Sequence, residues 1–135
     1  MSTETSRIAA VPNSAHVRVS RGPLVGPVLT RVVAMIAARA DCPVDRLEEA
    51  LLVTDAFAAH APAHALSGHV EMLVASHEGA MDLSVGPFAA DGASVVLREA
   101  QVPGLGNVVE RLADEVRVVT DEAGERLVAT IAFRK

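Results

Sequence analysis

Asp55 is the first place where residue type and spacing could do chemistry. It lies among Leu47, Leu51, Thr54 and Ala58, which form one stripe at helical spacing, with Leu52 beside it. A carboxylate in this position is either a helix-face acid, solvated or paired to an arginine, or part of a cleft that tunes its protonation. His60 and His64 are four apart, a spacing that on one regular helix can bind Zn²⁺. Pro62 lies between them and spoils that geometry, so both, with His69 and His77, read as solvated loop histidines, and no metal site is expected. Cys42 precedes a helix start, where a thiolate can be stabilised. No histidine is placed to activate it, so no nucleophile is expected. The acids Asp45, Glu48 and Glu49, and later Asp121, Glu122 and Glu125, read as solvated faces. Gly104-Leu105-Gly106 precedes a helical pattern. It is either a plain helix-entry turn or a cradle whose amides hold phosphate.

The elements that must position these residues follow from periodicity. Ala15 to Ser20 alternates as a half-buried strand after a loose leader, residues 1–14. Leu24 to Ala40 is helical, with Pro27 tolerated in its first turn. Pro43 opens a second helix, which Pro62 ends near Ala61. Val70 to Ala75 and Met81 to Val85 alternate around Glu78-Gly79-Ala80 as a hairpin, and Gly86-Pro87 is expected to break its second strand. Ser94 to Ala100 is open between a short helix and an irregular strand. Leu105, Val108, Val109, Leu112 and Val116 predict a third helix. Arg117 to Thr120 and Arg126 to Phe133 predict a closing hairpin, its last strand apolar on both faces and therefore central. The order β-α-α-β-β-(variable)-α-β-β is solved most economically by one helical layer on one face of a sheet, an α+β fold in residues 15–135.

Composition excludes several functions. The 135 residues are 50% hydrophobic, with three Phe and no Trp or Tyr, and the net charge is −5. A base-stacking platform and a basic footprint for phosphate backbones are both missing, so no nucleic-acid partner is expected. No apolar run is long enough to span a membrane. The one cysteine fits a cytoplasmic protein.

Two strings carry a family resemblance. Arg46-Leu47-Glu48-Glu49-Ala50-Leu51-Leu52-Val53-Thr54-Asp55-Ala56, and Leu112-Ala113-Asp114-Glu115-Val116 after the Gly-x-Gly turn, stand in the right order with the acidic closing hairpin. The chain resembles the anti-sigma-factor serine kinases of the histidine kinase-like (GHKL) ATPase superfamily over about residues 15–134. The resemblance implies a two-layer α/β sandwich of Bergerat type, with a mostly antiparallel mixed sheet covered on one face by about three helices. It also implies ATP held beneath a lid loop. The family's base, a Glu, maps to Asp55, and its Mg²⁺-holding Asn maps to Ala59. The Asp that reads adenine maps to Gly86, and the phosphate turn maps to Gly104 and Gly106. Alanine offers Mg²⁺ no oxygen. The resemblance with these departures implies a regulatory protein of transcription that binds a protein partner, a sigma factor or an anti-sigma-factor antagonist, with nucleotide binding weakened or lost and no cofactor expected. The alternatives are an active Mg-ATP-dependent serine kinase, and a nucleotide-free scaffold or homo-oligomer such as a homodimer.

Overall fold

A computed structural model describes residues 13–133. Strand β1 is Ser14–Ser20, followed by helices α1 (Val25–Arg39) and α2 (Val44–His60) and a 3₁₀ turn, Ala61–His64. Strands β2 (His69–His77) and β3 (Ala80–Phe88) come next, then α3 (Gly92–Glu99), a ribbon of β4 (Gln101–Val102) and β5 (Gly106–Asn107), and α4 (Val108–Leu112). Strands β6 (Glu115–Asp121) and β7 (Gly124–Ala132) close the chain. The main sheet runs β1-β2-β3-β7-β6, and all four pairings are antiparallel. This is the expected α+β sandwich.

Alternation decides which face of the sheet is covered. Val70, Met72 and Val74 on β2, Met81, Leu83 and Val85 on β3, and Leu127, Ala129 and Ile131 on β7 all point to one side and are buried. The helices answer at their own period. Leu29, Val33, Ile36 and Ala37 of α1, with Ala50, Val53 and Phe57 of α2, fill the other half of the same core. β7 lies between β3 and β6, as its two apolar faces require.

Several boundaries differ from the periodic reading. The third predicted helix is only five residues long, because Asp114 ends it and Glu115 and Val116 pair in register with Thr130 and Ala129. Strand pairing thus overrides a helical pattern that was apolar enough for either state. Gly86-Pro87 does not end β3. The strand continues to Phe88 across a register shift against β7. Ser94–Ala100 belongs mainly to a helix, with Ala93 and Val96 buried. Pro43 caps α2 rather than occupying its first position. Asn13 and Ser14 are ordered parts of the fold, Asn13 donating to the Ile36 carbonyl at 3.0 Å. The rest of the predicted leader lies outside the described residues.

Arg46 ties the layers together. Its Nε donates to the Ala132 carbonyl at 2.8 Å, and one Nη donates to Glu49. The other Nη reaches Asp114 at 2.6 Å, and Asp114 in turn accepts the Ala132 amide at 2.7 Å. The side chain is only 12% exposed. Replacing it strands two acids and a backbone carbonyl, so Arg46→Met is expected to destabilise the chain by about 2–3 kcal/mol. Urea unfolding measures this, with Glu122→Gln on an exposed turn as a near-neutral control.

Asp121 organises the β6–β7 turn by accepting from the Ala123 and Gly124 amides. The Arg126 guanidinium, then the turn amides, holds its carboxyl below the ordinary value. The ionised form is favoured by folding, so its contribution is present above the unfolded-state value and is lost as pH falls through the lowered one. Acid titration of the hairpin by NMR should show this loss, and Asp121→Asn should remove the dependence.

Candidate functional site

Helix α2 presents Glu48, Leu52, Asp55 and Ala59 outward, four exposed positions spaced at four, three and four residues. Its opposite side carries Ala50, Val53 and Phe57 into the core, so packing fixes the direction in which Asp55 faces. Thr54, also buried, returns its hydroxyl to the Ala50 carbonyl at 2.8 Å.

Asp55 lines a shallow hollow of about 270 Å³, together with Leu52, His60, Glu99 and the chain that leads through Val102. A second, mostly apolar hollow of about 280 Å³ lies against Leu52, Leu105, Val108 and Leu112. Leu52 and Val108 belong to both, so the two form one groove. One wall is α2, and the other is the β4–β5 ribbon with α4. The glycines shape the ribbon: Gly104 has φ 83° and Gly106 has φ 86°, a region costly for other residues.

The helix start beside the groove, that of α4, is not open to an anion, and neither is the start of α3, which lies outside the groove's lining. The Asn107 side chain accepts the Glu110 amide at 3.0 Å and donates to the Leu97 carbonyl at 2.6 Å. α4 therefore begins with its first turn already capped and with Glu110 beside it. At α3, the Glu125 carboxylate accepts the Asp91 and Ala93 amides at 3.0 and 3.2 Å. A carboxylate of β7 occupies the place where an exogenous anion would bind.

The mapped positions are only partly brought together. Asp55 and Ala59 share the outward face of α2, and Gly104 and Gly106 shape the facing ribbon. Gly86 is buried and lies apart from the lining of either hollow. Its role is close packing, since a Cβ there would stand 2.8 Å from the Glu125 carbonyl oxygen. Mg-ATP does not fit this residue set well. At the positions that the resemblance maps to the metal ligand and the adenine-reading acid stand Ala59, which supplies no oxygen, and Gly86, and the α4 start is capped from within.

Other candidates resolve differently from the sequence reading. His60 and His64 are not free in solvent. Both face Glu99, at 3.6 and 3.1 Å, and His77 faces Asp82 at 3.2 Å. Among the described residues no group of three or more His, Cys, Asp or Glu is arranged to hold a metal ion. Burial pushes the Cys42 thiol up, outweighing the opposing effect of Arg46, which works against a nucleophilic thiolate. Glu49, Asp121 and Glu125 are not idle surface acids, for they hold Arg46, a turn and a helix start. Glu125 had no sequence signal of its own, because the helix it caps begins 33 residues earlier in the chain.

No protein-family model matches the sequence, and no curated protein matches it. A solved structure of the RsbU and RsbW domains of Rv1364c from Mycobacterium tuberculosis is similar in fold, with a TM-score of 0.63 at 14% identity. The match covers 90% of this chain and spans about a third, 33%, of that one. The two share an α+β sandwich fold. No helix among the described residues is long and apolar enough to cross a membrane.

Gly86→Ala tests the packing role. The added methyl must displace backbone, so a loss of about 1–3 kcal/mol is expected in chemical denaturation. Gly104→Ala meets open space but a positive φ, so its cost should be about 1 kcal/mol and confined to the ribbon.

Proposed function

We propose that this chain is a regulatory protein of bacterial transcription that resembles an anti-sigma factor and acts by binding a protein partner, a sigma factor or an anti-sigma-factor antagonist, in the cytoplasm. Nucleotide binding is weakened or lost. One observation carries the reading: the sandwich fold is present, while the position that the resemblance maps to the metal ligand carries an alanine. Ala59 is exposed on the outward face of α2 and offers no oxygen, and Asn107 caps the start of α4 beside the groove. The fold likeness to the structure holding the RsbU and RsbW domains supports this role by analogy of fold.

A second reading, an ATP-dependent protein-serine kinase, has one observation in its favour. Asp55 keeps a carboxylate facing a hollow opposite a glycine ribbon. A carboxylate so placed can accept a proton from a substrate hydroxyl.

Calorimetry with ATP and Mg²⁺ decides between them. The regulatory reading expects no saturable heat for the natural sequence. Micromolar binding that disappears in Asp55→Asn establishes the kinase reading instead. Gain of binding in Ala59→Asn shows that only the metal ligand was lost. Co-purification with the host's own sigma factors and antagonist domains tests the partner class, and failure to retain any of them removes the regulatory reading.

A further inference from the structure

The groove between α2 and the β4–β5 ribbon has the shape and charge of a docking site for an amphipathic helix. Its floor is apolar. Leu52 and Leu105 are 51% and 64% exposed, large side chains that a closed monomer would cover. Val108 and Leu112 continue the same apolar strip.

The rim is acidic. Glu48 and Asp55 bracket Leu52 on the exposed face of α2, and among the described residues neither has an ion-pair partner. Glu99 stands at the far end, held by His60 and His64. Arg111 is the arginine that lines the groove. The chain as a whole carries a net charge of −5. Acids spaced around an apolar strip repel phosphates and attract cations.

We infer that this groove binds a basic amphipathic helix of a partner protein. Its apolar residues, spaced three and four apart, would lie on Leu52, Leu105, Val108 and Leu112. Lysines or arginines flanking that stripe would face Glu48 and Asp55. The inference deepens the protein-binding function above and rests on it for the kind of partner. A nucleotide is the competing occupant, and the acidic rim and the capped α4 start disfavour it.

The probe is a labelled 18-residue helical peptide with leucines on one face and lysines beside them. A matched peptide replaces every lysine by glutamate. Fluorescence anisotropy and amide shift mapping on the full chain are the readouts. The expected result is saturable binding of the basic peptide only, with shifts centred on residues 48–60 and 99–112. Leu52→Ala with Leu105→Ala should weaken it about tenfold. Both side chains are exposed, so circular dichroism should report an unchanged fold. Glu48→Lys with Asp55→Lys should transfer the preference to the acidic peptide. The inference is overturned by equal binding of both peptides, by no binding, by shifts on the open sheet face, or by indifference to either double variant. Displacement of the peptide by Mg-ATP, with Asp55 shifted, assigns the groove to nucleotide and also overturns it.

The two levels fail separately. A sigma factor that still binds the Leu52→Ala, Leu105→Ala chain removes the groove but leaves the regulatory function. Peptide binding without any sigma-factor or antagonist partner keeps the groove and removes that function.

Discussion

One guanidinium sets the distance between the two layers at their open end. Arg46 stands in the first turn of α2 and reaches the last residue of β7, the acid just before β6 and the end of α4. Three chain segments, α2, the end of β7 and the α4–β6 connection, therefore share one planar group whose donors have fixed directions. The core alone would leave α2 free to slide along its apolar stripe, because burial is non-directional. The clasp removes that freedom. Since α4 forms one wall of the groove and α2 the other, the same group also fixes the groove's width.

The start of α3 is under a second constraint, set by the sheet. β7 carries Glu125 at the point where β3 and β7 change register. The close approach there leaves room only for glycine at Gly86 and at Gly124, whose Cβ would meet the Phe88 carbonyl oxygen at 2.6 Å. That crowding delivers the Glu125 carboxylate to the start of α3. The negative charge most favourable at a helix start is thus supplied by the chain itself. A pocket suited to a phosphorylated ligand needs such positions vacant, whereas a protein-binding face gains from having them rigid.

Much of this was legible in the sequence where period and chemistry agreed. The β2–β3 hairpin, both long helices and the central place of β7 follow from alternation, proline positions and apolar burial. Asp55 and the glycine pair were visible as candidates, and the fold does set them across one groove. What could not be read were relations between distant residues. Glu99 meets His60 and His64 across 39 and 35 positions, and Glu125 caps a helix that precedes it. Val116 fits a helical period and a strand equally, and only the hydrogen-bonding edge of β7 decides between them. The role of Arg46 depends on the ends of α4 and β7, 66 and 86 positions away.

The fastening of α3 has a consequence for motion. At its start the helix is held by Glu125, and at its end by the contacts of Glu99 with two imidazoles. A segment latched at both ends cannot swing like a door on one hinge. It must release both latches together, so it opens as a cooperative unit whose amides exchange at one common rate. Among the described residues the tip of the ribbon beyond it, residues 103–105, makes no side-chain hydrogen bond, whereas Asn107 ties its base to the Leu97 carbonyl. Breathing of the groove is then a matter of the ribbon alone, moving against a wall that stays still.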